Sequence, residues 1–227
     1  MPNEPRNNPE LILASGSPRR NELIALTGWK VEVRPVNVDE TELPGEDGRT
    51  LARRLAETKA LEAAERFGTR TFIIAADTVV ESAGEILGKP ASNKEAGEML
   101  MKLRGKPHLV HTAIAVFDPN TNEPYIDACT TEVPMRDYSQ AEVTGYVETG
   151  SPLDKAGAYG IQDGGFNPVQ VEEITGCYAN VVGLPVCHVV RAMRRFGIQP
   201  FFDVPSRCKA HTGYDCEVYP QILRDEI

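Results

Sequence analysis

The chain has no uninterrupted apolar run near the roughly 18 residues that a membrane-spanning helix requires, so a transmembrane protein is excluded. Its opening stretch is rich in Pro and Asn and has no apolar core of the kind a secretory signal needs. Cysteine is scarce and odd in number: Cys129, Cys177, Cys187, Cys208 and Cys216 are widely scattered. That set leaves no basis for a disulfide framework and fits the reduced thiols of a cytoplasmic protein. Positive charge is also short, with 24 Lys and Arg against 33 Asp and Glu, a net charge of −9. A broad nucleic-acid surface is therefore excluded, since it needs excess cations to displace counterions from phosphates. A small anionic ligand is not, because a local cluster of cations outweighs distant surface charge. What remains is one soluble domain of 227 residues, 41% of them hydrophobic, enough for a sizeable core.

Apolar runs and helical patterns alternate along the chain. Residues 11–14 and 71–76 read as buried strands, the second ending in Asp77, and 30–36 alternates like a strand. Residues 79–87 resemble a hairpin turned at Ala83 and Gly84, while 108–117 and 125–133 are strands joined by a turn-rich break. Ser17 as N-cap and Pro18 at the first helical position open a helix to about residue 27. Further helices are expected over 50–67, from Ser92 to 104, from Ser139 to 149, and over 185–196. Ser92 with Glu95 and Ser139 with Glu142 have capping-box spacing. A Gly-rich stretch covers 150–165, and a strand is expected near 169–174. The interleaving predicts an α/β fold with a mixed sheet. The organisation is an extended or disordered terminus over 1–10, a domain over 11–198, and a tail over 199–227 in which the pattern dissolves.

Three features put polar groups where a purely structural chain would avoid them. Ser15-Gly-Ser-Pro-Arg-Arg20 joins a buried strand to a helix N-terminus, where backbone N–H groups, Arg19 and Arg20 favour an anion. An ordinary cap with two solvated arginines fits the segment as well. Asp77 at a strand end, with the Thr78 hydroxyl beside it, can hold a metal or accept a proton from water. Lys59 falls inside the apolar arc of its helix, so it either snorkels to the edge or meets an anion. Lys89, in a turn after the hairpin, is a phosphate contact if it faces a cleft. These residues define an anion cleft without fixing a reaction.

The segments Leu13-Ala-Ser-Gly-Ser-Pro-Arg-Arg20, Asp39-Glu40, Glu57-Thr-Lys59-Ala60, Ala75-Ala-Asp-Thr78, Leu87-Gly-Lys-Pro90, His111-Thr112, Pro152-Leu-Asp-Lys-Ala-Gly-Ala-Tyr-Gly-Ile-Gln162 and Val181-Val-Gly-Leu-Pro185 resemble, in order, the Maf family of nucleoside triphosphate pyrophosphatases. The resemblance runs from about residue 11 to 196. It implies an elongated, inosine-triphosphatase-like α/β fold, with a mixed, bent sheet flanked by helices and a cleft between two lobes. It implies hydrolysis between the α and β phosphates, with a divalent cation, Mg²⁺ or Mn²⁺, as cofactor. Asp77 would activate water, and Ser15, Arg20, Lys59 and Lys89 would hold the triphosphate. Glu40, with Asp77, would join the metal environment. Arg19, Thr78 and Gln162 resemble the branch that prefers dTTP and UTP over the one that prefers 7-methyl-GTP. The amide of Gln162 both donates and accepts, which suits a pyrimidine edge. A homodimer is also implied, and neither nucleic acid nor membrane is an expected partner.

Two other readings are carried forward. A nucleotide-binding regulator of cell division would need the cations but not a base at Asp77. In the tail, Cys208, His211 and Cys216, with Cys187 and His188, offer soft ligands. Zinc modules show two paired motifs where this tail has a single Cys-x-x-His, so a tail without regular structure is expected.

Overall fold

The apolar runs assemble into one mixed six-stranded sheet in the order β2-β1-β3-β5-β6, with β4 on the far part of β3. The computed structural model describes residues 10–68, 70–121 and 123–225, so the terminus expected over 1–10 lies, except for Glu10, outside the described residues. Strand β1 (Leu11–Leu13) runs parallel to β2 (Val31–Val33) and to β3 (Phe72–Ser82). Strands β4 (Glu85–Leu87) and β5 (Pro107–Phe117) are antiparallel to β3, and β6 (Pro124–Pro134) is antiparallel to β5. Ala83 and Gly84 both have positive φ, 52° and 79°, as a tight two-residue hairpin requires.

The helix starts follow from local hydrogen bonding. The Ser17 hydroxyl accepts from the Arg20 N–H at the start of α1 (Pro18–Ala25), with proline in its first turn. Helix α2 (Gly48–Phe67) begins two residues earlier than the sequence pattern suggests. Asp47 caps it, and Glu81 on β3 accepts the Gly48 N–H at 2.8 Å. Ser92 caps α3 (Asn93–Leu103), and Ser139 and Glu142 cap α4 (Gln140–Glu148) reciprocally. Leu51, Leu55, Ala56 and Ala60 of α2 bury one face of the sheet against Ile73, Ala75, Ala113 and Phe117. The larger core on the other face gathers Leu100, Tyr138, Val143, Val189 and Met193. The sheet is thus mixed and flanked by helices, as the sequence predicts.

Several elements differ from expectation. The strand over 30–36 is paired only at Val31–Val33. In place of a strand at 169–174 there is a 3-10 turn (Val171–Glu173), held to the sheet by single bridges from Val169 and Thr175. Pro168 and Gly176 bound that segment and prevent a longer ladder. A five-residue helix, α5 (Tyr178–Val182), precedes α6 (Val186–Arg195). The tail is not irregular: α7 (Val204–Thr212) and α8 (Tyr219–Leu223) contribute Val204 and Ile222 to the larger core.

Asp77 does not end its strand. Strand β5 accompanies β3 as far as Glu81, which keeps the backbone extended past the carboxylate. The strand that stops is β1, whose pairing with β3 ends at Ile74, while β4 takes up pairing only at Val80. The stretch in between, where Asp77 sits, has no strand on its β1 side among the described residues.

Candidate active site

Alternation along β3 sends neighbouring side chains to opposite faces of the sheet. Asp77 shares the face of Ile73 and Ala75 and points toward α2, whereas Thr78 points the other way. Lys59, on the fourth turn of α2, reaches the same place. Its ammonium lies 2.5 Å from Asp77 Oδ1 and 2.5 Å from Glu40 Oε1, and both Lys59 and Asp77 are below 10% exposed. The alternatives for Lys59 resolve in favour of an anion, and that anion is a pair of the protein's own carboxylates. Burial pushes the Asp77 carboxyl above its ordinary value, against the opposing pull of Lys59 and Arg20. Burial acts on Glu40 in the same sense, but Lys59, Lys89 and Arg20 together hold it below the usual carboxylate range.

Behind Asp77 the Arg20 guanidinium replaces a missing strand. It donates to the Ala76 carbonyl at 2.7 Å, where β1 has left β3. It also donates to the Gly183 carbonyl at 2.8 Å and to Thr78 Oγ1 at 3.0 Å. Thr78 in turn meets Thr112 Oγ1 at 3.0 Å, and Thr112 donates to the Asn180 carbonyl. Most of the Arg20 donors are therefore spent on the scaffold, so its charge acts on the cleft mainly through space. Burial works against that charge, while Asp77 and Glu40 support it.

A cleft of about 380 Å³ opens in front of these groups. It is bounded by α2 and the 37–47 loop on one side and by residues 154–163 and α5 on the other. Of the residues singled out in the sequence, Arg19, Arg20, Glu40, Lys59, Asp77, Thr78, Lys89 and Gln162 all line it. Ser15 does not: it is buried, and its hydroxyl accepts from the Ser17 N–H and from Arg20, while Ser17 takes its place on the cleft wall. Lys89 is exposed there and makes no ion pair among the described residues. Arg19 reaches across the mouth to Asp154, 3.5 Å away. Asp154, Lys155 and Asp163, to which the sequence alone assigns no role, also line the cleft. For Asp154 and Lys155 the available signal is a pair of adjacent charges in a Gly-rich loop.

The donor set suits a hard cation. Glu40 and Asp77 offer carboxylate oxygens that already converge on one positive group, the Lys59 ammonium, and oxygen donors suit Mg²⁺ or Mn²⁺. Among the described residues no three His, Cys, Asp or Glu side chains are grouped to hold a metal unaided. Phosphate oxygens and water would have to complete such a site.

Residues 10–196 match the family model described as Maf-like protein. The chain belongs to this family. The dTTP/UTP pyrophosphatase of Geobacter sp. (strain M21) is 45% identical over 84% of this chain and 97% of that protein. The dTTP/UTP pyrophosphatase of Geotalea uraniireducens (strain Rf4) is 46% identical over 82% and 95%. Among solved structures, the Staphylococcus aureus Ham1 protein aligns at a TM-score of 0.44 and 18% identity, over 70% of this chain and 79% of that one.

The Maf-like match stops before the tail, and the histidines part from the cysteines: His188 hydrogen-bonds to Asp127. His211 turns toward Glu22, 3.9 Å away. Cys208 and Cys216 join Cys177 and Cys187 on the wall of a second cavity of about 250 Å³. Burial pushes the Cys208 thiol up to about 12, so it stays protonated at neutral pH. No helix among the described residues is long and apolar enough to cross a membrane.

Proposed function

We propose that this Maf-like chain is a nucleoside triphosphate pyrophosphatase that hydrolyses dTTP and UTP between the α and β phosphates, releasing a nucleoside monophosphate and pyrophosphate. The observation that carries the reading is the buried Asp77 carboxylate, set against Lys59 in a cleft that also holds Arg19, Arg20 and Lys89. Phosphoryl transfer asks an enzyme for positioned charge more than for covalent chemistry, and that is what these residues offer. The names of the two relatives support the same substrates.

In this reading Asp77 takes a proton from the water that attacks the α phosphate, in line with the departing pyrophosphate. Burial raises its proton affinity above that of an exposed carboxylate, which makes it a better acceptor, while the Lys59 ammonium favours its ionised form. Lys59 holds the carboxylates in place and offers its remaining N–H to a phosphate oxygen. Lys89 and Arg19 neutralise the outer phosphates. Arg20 anchors the Thr78 side of the cleft and adds its field. Ser15 acts indirectly, by orienting Arg20. Glu40 and Asp77 are the groups that would hold Mg²⁺ or Mn²⁺, whose chemistry there is to offset phosphate charge and acidify water. Gln162 reads the pyrimidine edge. On this reading the enzyme acts on the free nucleotide pool of the cytoplasm.

Product analysis tests this reaction. Incubation with UTP and Mg²⁺ or Mn²⁺ is expected to yield UMP and pyrophosphate in equal amounts. Release of orthophosphate and UDP would refute α–β cleavage. Faster hydrolysis of 7-methyl-GTP than of dTTP and UTP would move the chain to the other branch. The absence of any turnover alongside tight nucleotide binding would favour the regulator.

A further inference from the structure

The loop after α4 carries charge that the reaction above leaves unused. Asp163 Oδ2 accepts from the Tyr146 hydroxyl at 2.6 Å and the Ser151 hydroxyl at 2.6 Å, with the Lys155 ammonium 3.4 Å away. Lys155 is itself buried and donates to the Ser151 carbonyl at 2.6 Å and to Asp154 Oδ1 at 2.7 Å. Tyr146 then accepts the Gly160 N–H at 3.1 Å. One carboxylate therefore ties α4 to the beginning, middle and end of the loop. A half-buried polar network of this kind rigidifies when its partners are all present and loosens when one is lost.

The consequence falls on residues 160–163. The Asp163 N–H donates to the Gly160 carbonyl at 3.1 Å, closing a turn, and the Asp163 side chain folds over Gly160. A Cβ on Gly160 would stand 2.4 Å from Asp163 Oδ1. Gly160 is not in the left-handed region, so glycine is required there for room and not for backbone freedom. Between these two residues, Ile161 and Gln162 line the cleft, and Gln162 is exposed with no hydrogen bond of its own among the described residues. Its amide is open to a ligand while the backbone beneath it is clamped.

We propose that Asp163 is a positioning residue for nucleobase selection: it locks the 150–163 loop in the form that presents Gln162 to the base. This rests on the pyrimidine reading above. A hydrogen-bonding edge held in place discriminates between bases far better than one that can shift to suit either.

The test is equilibrium binding by calorimetry of the non-hydrolysable α,β-methylene analogues of UTP and GTP, which separates it from the turnover assay. Wild type is expected to favour the uracil analogue. Gly160→Ala and Asp163→Ala are each expected to shrink that preference about tenfold, chiefly by weakening the uracil analogue. In the double variant, Gly160→Ala should add nothing, because the side chain it collides with is gone. Equal loss for both analogues, additive effects, or a wild type that binds both alike would overturn the proposal. Gly160→Ala removes no charge and decides the matter alone if Asp163→Ala does not fold. Variants that keep the wild-type preference would overturn the proposal as well, whereas a wild type that shows the preference but does not cleave UTP would strike the proposed reaction alone.

Discussion

Lys59 and Asp77 meet inside the protein, ammonium to carboxylate at 2.5 Å, with Glu40 completing the contact from the loop ahead of α2. A buried ion pair of this kind costs desolvation on both sides, and removing one member leaves the other uncompensated.

That relationship predicts how Lys59→Met behaves. Burial already raises the Asp77 carboxyl, and loss of its largest opposing charge raises it further. A base works only when unprotonated, so the pH below which turnover fades moves upward. UTP hydrolysis at neutral pH is expected to fall at least about 100-fold, within the range of lost acid–base catalysis. A pH–rate profile checks both effects, and an acid limb left where wild type has it would contradict the assigned role.

Arg20→Lys tests the fork that stands in for a strand. Lysine keeps the charge but cannot reach the Ala76 and Gly183 carbonyls and Thr78 together. Leaving buried carbonyls unpaired costs about 1–3 kcal/mol each. Denaturant unfolding is expected to show a loss of at least about 2 kcal/mol. Stability equal to wild type would mean that Arg20 is a substrate contact and little else.

Asp127 gives a pH dependence away from the cleft. On β6 it accepts from His188 and from Arg191 at 2.6 Å, and, although burial opposes ionisation, these partners hold its carboxyl at about 2. A depressed folded value contributes stability above the unfolded value of about 4 and loses it as pH falls toward 2. Asp127→Asn should therefore cost about 2 kcal/mol at pH 7, with the deficit closing between pH 4 and 2. Chemical unfolding across that range measures it; a constant deficit would point to packing alone.

Deleting residues 199–227 should destabilise the domain, although the family match ends earlier. The tail buries Val204 and Ile222, and the Gln199 carbonyl accepts the Trp29 indole N–H at 2.8 Å. At about 1.5–3 kcal/mol for each buried aliphatic side chain, the loss is at least about 3 kcal/mol. An unchanged denaturation midpoint would show the tail to be an appendage.

Where local chemistry decides the structure, the sequence was readable. Ser17, Ser92 and Ser139 cap their helices because a hydroxyl beside a free N–H needs no tertiary help. Cleft residues were legible wherever a charge stood out against an apolar background, as Lys59 and Asp77 do. Asp77 reads as a strand end in the sequence because the pairing that extends β3 comes from β5, more than 30 residues on. Ser15 reads as a ligand contact in the sequence, and only the fold of Arg20 over it takes its hydroxyl off the cleft wall. Asp163 gave no signal of its own, as its partners assemble only when α4 and the loop close together. The tail looked irregular because its helices are short and their apolar residues find partners only on the domain.

The most direct measurement of the central claim is UTP turnover by Asp77→Asn, with substrate binding followed in the same preparation. The asparagine keeps the shape and a hydrogen bond to Lys59 but cannot take a proton from water. The account predicts that UMP and pyrophosphate release falls by about 100-fold or more while UTP still binds. Turnover within a few-fold of wild type would contradict it.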